Sequence, residues 1–188
     1  MQDFDLANDL LVALWFFLPA AIANVTPIFL TKIFGKKFAK PLDFGKSWRG
    51  KRILGDHKTW RGLAGGIIFA TIMLQVQVIL SHHTGWADRI TDQLDFENIH
   101  VLIVGPLFAI GALGGDAIES FIKRRLGKKP GTTWFPFDQI DYVIGAMIAT
   151  WPFATLNWWQ YVFILIIWTF MSLIFSWIGR HTGFKGSI

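Results

Sequence analysis

The sequence has no cysteine, and only 16% of its 188 residues are charged. The absence of cysteine excludes a secreted module held together by disulfides and a zinc site built on thiolates. The low share of charge excludes a disordered chain. Neither a Walker A motif nor a Gly-x-Gly-x-x-Gly fingerprint is present, so the sequence lacks the phosphate-binding loops of soluble nucleotide-binding folds.

Apolar side chains are abundant instead, at 53% of the chain, which is not the composition of a typical cytosolic enzyme. They form continuous blocks, which favours helices over the alternating pattern of a β-barrel. Most blocks approach the roughly 20 residues that a helix needs to cross the membrane. We therefore predict an all-α, polytopic integral membrane bundle of five transmembrane helices, the fourth being short and containing Pro152. The predicted spans are residues 8–31, 62–80, 101–119, 142–156 and 161–178.

The distribution of basic residues predicts the orientation of these spans. Fourteen of the 18 Lys and Arg residues lie in residues 34–61 and 120–133, whereas residues 81–100 hold one basic residue and four acids. Because cytoplasmic loops carry an excess of Lys and Arg, we place the loops 32–61 and 120–141 in the cytoplasm. The N-terminus is then outside and the C-terminus is cytoplasmic.

The first span is not expected to be a cleavable signal peptide. Asp3, Asp5 and Asp9 precede or begin it without any Lys or Arg, the reverse of a signal sequence. No repeat or linker divides the chain, so we expect one domain, residues 1–188, in the cell (plasma) membrane. The net charge of +5 then belongs to a membrane face, and we expect no nucleic-acid partner.

Six acids fall on the predicted cytoplasmic side, where acids near membrane depth are costly unless they are paired or bind a metal. Two of them lie at the end of the third span, on one helix face with a hydroxyl and two cations. The members of this face are Asp116, Glu119, Ser120, Lys123 and Arg124. The alternative is a solvated helix end with pairs between residues four apart.

Asp138 and Asp141 open the fourth span, three residues apart. In a first helical turn they would interact favourably with the helix dipole. They would also suit Mg²⁺, which takes oxygen ligands and usually binds one or two carboxylates plus substrate phosphates. With Asp116, they predict a metal site of three carboxylates, which lies in an active site on the cytoplasmic side.

Asn24 and Thr26 lie in the middle of the first span, beside Pro27. Polar groups at such a place predict a lipid or substrate cavity, because backbone groups freed by proline need partners. Contact between helices around a proline kink explains them equally well.

Carboxylates beside many cations at a membrane face are typical of phosphoryl or nucleotidyl transfer, which needs alignment and neutralised charge. A small membrane transporter is a rival reading, because acids inside a membrane also mark ion pathways. A structural subunit with a basic lipid-binding patch is another. The Asp-rich motif of CDP-alcohol phosphotransferases is not found.

The ordered motifs resemble those of membrane CTP-dependent cytidylyltransferases. The sequence reads Gly115-Asp116-x-x-Glu119-Ser120-x-x-Lys123-Arg124-x-x-Gly127-x-Lys129, then Asp138-x-x-Asp141. With Asn24-Val25-Thr26-Pro27 and Gly55-Asp56-His57-Lys58-Thr59-Trp60-Arg61-Gly62, the chain resembles the CDP-archaeol synthase (CarS) family, compact five-span relatives of the CDP-diacylglycerol synthases. It departs from the latter signature at Lys129-Pro130 and at Trp134-Phe135-Pro136-Phe137, where a Lys-Asp pair and a His-Gly-Gly stretch would stand.

The resemblance implies the reaction of CTP with a lipid phosphate, with Mg²⁺ as cofactor. The archaeal substrate is an unsaturated archaetidic acid, 2,3-di-O-geranylgeranylglyceryl phosphate, and the products are CDP-archaeol and pyrophosphate; phosphatidate is the alternative substrate. The implied partners are CTP, the lipid phosphate and membrane lipids, and a homodimer is compatible with the sequence. The resemblance assigns metal binding to Asp116, Asp138 and Asp141, catalysis to these with Lys123 and Arg124, and binding of CTP or lipid phosphate to Lys58, Thr59, Arg61, Ser120, Lys123, Arg124 and Lys129.

Overall fold

The computed structural model describes residues 5–91, 94, 99–129, 132–154 and 156–181. Helices dominate the described chain, as predicted. They are α1 (Leu6–Phe16), α2 (Leu18–Phe34), α3 (Trp60–His83), α4 (Gly85–Thr91), α5 (Val101–Arg125), α6 (Phe137–Thr150) and α7 (Trp158–His181), with a 3₁₀ turn at Trp151–Phe153 and two short strands, β1 (Ser47–Trp48) and β2 (Lys51–Arg52).

Four stretches are long and apolar enough to cross a membrane: Leu6–Phe34, Trp60–His83, Val101–Arg125 and Trp158–Gly179. They correspond to the first, second, third and fifth predicted spans. The first is built from two helices, α1 and α2, which meet at Phe17. Pro19 lies in the first turn of α2, a position at which the missing N–H of proline does no harm and from which a new helix starts readily.

The fourth predicted span, residues 142–156, differs most from the structure. Helix α6 begins earlier, at Phe137, and ends at Thr150, so it has 14 residues. Pro152 lies in the 3₁₀ turn that follows, because proline lacks the N–H that a continuing helix would use. Five spans and the orientation of the termini therefore stay predictions.

The helices pack through aromatic contacts and buried hydrogen bonds. Phe17 lies between Tyr142 and Trp168, with ring centroids 5.9 and 5.5 Å away. The Tyr142 hydroxyl donates to the Trp168 carbonyl at 3.0 Å, and the Trp168 indole donates to the Ala13 carbonyl at 3.1 Å. These contacts tie α6 to α7 and α7 to α1, since helices in lipid rely on packing and hydrogen bonds for association.

At the far end of the bundle, a buried carboxylate joins α1 to the start of α7. Asp9 is 1% exposed, and its Oδ1 accepts from Asn157 Nδ2 at 2.9 Å and from Gln160 Nε2 at 2.8 Å. Asn157 and Gln160 also bond to each other's backbone N–H groups. These hydrogen bonds therefore fix the end of the bundle that lies opposite to Asp116 and Asp141.

The connection between α2 and α3 is compact. Its two ends form an antiparallel bridge between Pro41 and Thr59. Between them, β1 and β2 form a small hairpin whose turn residues, Arg49 and Gly50, have φ values of 52° and 73°. Two positive φ values are the conformation of the tight turns that suit the twist of a hairpin. This hairpin is an addition to the predicted all-α architecture.

Candidate metal and phosphate site

Helices α5 and α6 touch at the level of their backbones. A Cβ atom at Gly115 would collide with the Asp141 carbonyl, and one at Gly145 would collide with the Gly111 carbonyl. Glycine is therefore required at these positions for the helices to come so close. Because Asp116 follows Gly115 directly, this contact brings the Asp116 and Asp141 side chains to the same place.

Three carboxylates converge there. One oxygen from each of Asp116, Glu119 and Asp141 lies within 4.8 Å of the others. Glu119 is 6% exposed, so its carboxylate is buried within the described chain. Sequence reasoning placed Glu119 on the polar face of α5 but not among the metal ligands, and its spacing of three residues from Asp116 was the signal that could have included it.

Asp138 has other partners. Its Oδ1 pairs with the Lys123 ammonium, and its Oδ2 accepts from the Trp134 backbone N–H at 2.5 Å. Lys123 Nζ also lies 2.8 Å from Glu119 Oε1. Asp138 is thus held at the edge of the cluster through Lys123, whereas Asp116 and Asp141, the other two predicted metal ligands, are together in it.

Two cations reach the cluster from different elements. Lys58, from the connection between α2 and α3, pairs with Asp116. Lys123, from α5, is buried with 7% exposure and contacts Glu119 and Asp138. Asp141 has no ion pair within 4.0 Å among the described residues, so its negative charge is the least compensated in the cluster.

Arg124, the residue after Lys123 on α5, has no carboxylate partner in the described chain. It is 7% exposed, its Nε lacks an acceptor, and one terminal nitrogen donates to the Lys129 carbonyl at 3.2 Å. A buried guanidinium nitrogen without an acceptor suits a phosphate oxygen. Ser120 is 8% exposed on the same helix, while the Lys129 side chain is exposed.

Thr59 and Arg61 have structural contacts in addition to their predicted binding roles. The Thr59 hydroxyl oxygen accepts from the Gly62 N–H at 3.1 Å and caps α3. The Arg61 guanidinium donates to the Gly35 carbonyl at 3.0 Å and to the Lys37 carbonyl at 2.5 Å, near the end of α2. Binding of CTP or lipid phosphate by these two residues stays a prediction.

The predicted cavity residues lie in α2. Thr26 is 4% exposed, and its hydroxyl donates to the Ile22 carbonyl at 2.7 Å, so its polar group is satisfied within the helix. Its methyl group lies near Gly65 of α3. Asn24 is half-buried. A lipid or substrate cavity at Asn24 and Thr26 stays a prediction.

The donor set of the cluster fits a hard divalent cation. All three converging groups are carboxylates, and one of them, Asp141, has no ion pair within the described chain. Mg²⁺ prefers oxygen ligands and coordinates them in a near-octahedral arrangement completed by water or phosphate. The chain can therefore hold a divalent metal between α5 and α6, with Lys58 and Lys123 in contact with its carboxylates.

Comparison with known proteins gives the family of this chain. Residues 6–187 match the family model described as "CarS-like: CDP-archaeol synthase". The chain belongs to the CDP-archaeol synthase family. The resemblance found in the motifs is thereby confirmed over nearly the whole sequence.

Curated relatives and a solved structure agree with this. A CDP-archaeol synthase of Pyrococcus horikoshii is 40% identical over 161 residues, which are 85% of each chain. One of Thermococcus onnurineus is 31% identical over 95% of this chain and 96% of its own. A structure described as "Structural insight into an intramembrane enzyme for archaeal membrane lipids biosynthesis" is 28% identical with a TM-score of 0.69, covering 87% of this chain and 92% of that one. The protein is therefore an integral membrane enzyme of this family.

Proposed function

We propose that the protein transfers the cytidylyl group of CTP to a membrane lipid phosphate, 2,3-di-O-geranylgeranylglyceryl phosphate, giving CDP-archaeol and pyrophosphate. The observation that carries this proposal is the carboxylate cluster of Asp116, Glu119 and Asp141, which meets Lys58 and Lys123 at one end of an apolar bundle. Family membership supports the same reaction.

In this reaction a phosphate oxygen of the lipid attacks the α-phosphorus of CTP. A new P–O bond forms, the bond from the α-phosphorus to the oxygen bridging to the β-phosphorus breaks, and pyrophosphate leaves with that oxygen. The nucleophile is already an anion, so no protein side chain has to deprotonate it. The protein's task is to align two anions that repel each other and to neutralise their charge.

The cluster residues divide this task. Asp116, Glu119 and Asp141 would hold Mg²⁺, which would supply charge neutralisation and a template for the phosphates. Arg124 Nε, a buried donor without an acceptor in the described chain, suits a phosphate oxygen, and Lys58 and Lys123 supply ammonium groups.

Two further predicted residues support the site. Asp138, predicted as a metal ligand, contributes by holding Lys123 in place. Ser120 supplies a buried hydroxyl for hydrogen bonding on the same helix as Lys123 and is not a covalent nucleophile.

The site faces the cytoplasm in this proposal, and the protein resides in the plasma membrane with its N-terminus outside. The distribution of Lys and Arg supports this orientation, because the basic loops flank the cluster on the side where CTP is available. We propose a single membrane-embedded domain over residues 1–188. A homodimer stays a prediction.

The purified protein tests the proposal directly. In detergent micelles with Mg²⁺ and CTP, the geranylgeranyl ether phosphate is expected to yield CDP-lipid and pyrophosphate in equal amounts. Phosphatidate, offered in a parallel reaction, tests the alternative substrate, and a faster reaction with it would transfer the assignment to CDP-diacylglycerol synthesis. Absence of CDP-lipid with both lipids would refute the proposed function.

A further inference from the structure

Two backbone hydrogen bonds close the base of the loop that connects α2 and α3. The Leu42 N–H donates to the Lys58 carbonyl at 2.7 Å, and the Trp60 N–H donates to the Lys40 carbonyl at 3.0 Å. Lys58, which pairs with Asp116, therefore belongs to the base of this loop. Its position depends on how the interior of the loop is held.

That interior is organised by one carboxylate, Asp43, whose side chain is 0% exposed. Its Oδ2 accepts from the backbone N–H groups of Leu54 at 2.9 Å and Gly55 at 3.1 Å. Its Oδ1 accepts from the Gly45 N–H and from Arg52, both at 3.0 Å. Both oxygens are thus occupied by donors from different parts of the loop.

Asp43 is held in its ionised form. Burial raises the pKa of Asp43, but the donors from Leu54, Arg52, Gly55 and Gly45 outweigh this and lower the pKa to about 2. A buried carboxylate is costly unless its oxygens are satisfied, as they are here. An asparagine could not replace it, because its NH₂ group would face donors at one of the two oxygen positions.

The segment held by Asp43 leads directly to Lys58. Gly55 has a φ of 114°, a conformation that side chains rarely adopt, and it lies where an added Cβ would be 4.0 Å from Arg124. Three residues further along, Lys58 meets Asp116. Asp43 therefore fixes the backbone segment that brings the Lys58 ammonium to the carboxylate cluster.

The tip of the loop is attached to the helix that carries the cluster. One terminal nitrogen of Arg125 donates to the Trp48 carbonyl at 2.5 Å, and the other donates to the Lys51 carbonyl at 3.0 Å and the Arg52 carbonyl at 2.6 Å. The Trp48 ring stacks on Phe121, with centroids 5.9 Å apart. The loop and α5 thus form one framework, joined at the hairpin and at the cluster.

We propose that Asp43 is a positioning residue for the cytidylyl transfer, fixing the segment 54–58 so that Lys58 reaches Asp116 and the phosphates. Asp43 itself contacts no reacting group. This inference rests on the proposed function for its kinetic test, and on the loop contacts alone for its structural test.

The kinetic test uses Asp43→Asn with Asp56→Asn as the matched control. Asp56 undergoes the same chemical change and shares the partner Arg52, but its side chain is 74% exposed. We expect Asp43→Asn to lower kcat/KM for CTP about tenfold or more, since small displacements of aligned groups are costly, and Asp56→Asn to stay within about twofold of wild type. The double variant Asp43→Asn/Lys58→Ala should be no slower than Lys58→Ala alone, because both changes remove the same contribution.

A general structural role gives a different result. It would lower the yield of folded protein, leave kcat/KM per folded molecule close to wild type, and make the effects of Asp43→Asn and Lys58→Ala multiply. Either of the last two results overturns the proposal. Where Asp43→Asn does not accumulate, Arg52→Gln removes only side-chain donors to the carboxylate, and its effect on kcat/KM should likewise vanish in the Lys58→Ala background.

Amide hydrogen exchange supplies a readout that needs no activity. Asp43→Asn should accelerate exchange across residues 42–58 and leave α3 and α5 protected. Unchanged exchange in residues 42–58 would overturn the positioning role even if the enzyme is active. Conversely, an inactive wild-type protein with the expected exchange pattern would refute the proposed function and keep the role of Asp43 in holding this loop.

Discussion

Lys58 and Asp116, which are 58 residues apart in the sequence, form an ion pair that joins the loop before α3 to the end of α5. Their side chains are 21% and 27% exposed. The pair is therefore open to a ligand from the polar end of the bundle. A phosphate or a metal ion arriving there meets both members of the pair at once.

Removing the Lys58 ammonium should impair use of CTP more than use of the metal. We expect Lys58→Ala to lower kcat/KM for CTP about 100-fold, as loss of one charge-stabilising donor often does, and Lys58→Arg to retain part of the activity. Because Asp116 loses a competing cation, the Mg²⁺ concentration for half-maximal rate should not rise. Lys46→Ala, at an exposed position of the same loop, is the control, and an equal loss in that variant would contradict this role.

Contact between α5 and α6 can be tested at two adjacent glycines. Gly115→Ala places a methyl group against the Asp141 carbonyl, whereas at Gly114 nothing lies within 4 Å of an added Cβ. Gly115→Ala should force the helices apart, separate Asp116 from Asp141 and reduce the rate about tenfold or more, as a displacement of about 1 Å in a site can. Gly114→Ala should behave as wild type in the same assay. Equal rates for the two variants would argue against this contact as the origin of the site.

Glu119 is the carboxylate that the structure adds to the predicted metal-binding residues. Glu119→Gln keeps the shape of the side chain but removes its charge, so we expect the Mg²⁺ concentration for half-maximal rate to rise about tenfold, as changes near metal ligands commonly cause. Mg²⁺-dependent thermal stabilisation in detergent should weaken in parallel. A Mg²⁺ response like that of wild type in Glu119→Gln would exclude Glu119 as a ligand.

Asp141 can be tested in the same assay. Asp141→Asn should abolish turnover in a protein that remains folded.

Asp43 should make the stability of the folded protein depend on pH in the acid range. Its pKa is lowered from an ordinary 3.8 to about 2, so the stabilisation is complete above about pH 4 and is lost as the pH falls towards 2. The shift corresponds to about 2 kcal/mol. The thermal unfolding temperature in detergent should therefore fall more between pH 5 and pH 2.5 for wild type than for Asp43→Asn. Equal losses in the two proteins would show that Asp43 does not contribute through its charge.

The sequence predicted the long spans well, because runs of apolar residues are a direct consequence of lipid contact. It was less informative about α6, which is short and in which Asp138 and Asp141 begin the helix while Pro152 follows it. Periodicity also grouped Asp116 and Glu119 on one face, since three residues separate them on one helix.

The sequence could not show which acid of α6 joins that face. The close approach at Gly115 selects Asp141, while Lys123 retains Asp138. Nor could it show the pairing of Lys58 with Asp116, because the loop that brings them together is organised by Asp43 through contacts distant in sequence.

The most direct test of the account follows the phosphorus atoms of CTP. Purified protein is given Mg²⁺, the geranylgeranyl ether phosphate and CTP labelled with ³²P at either the α- or the γ-position. Cytidylyl transfer predicts α-label in the extracted lipid and γ-label in pyrophosphate, and neither transfer should occur with Asp141→Asn. Label from the γ-position in the lipid, or no label in the lipid from either position, would contradict the account.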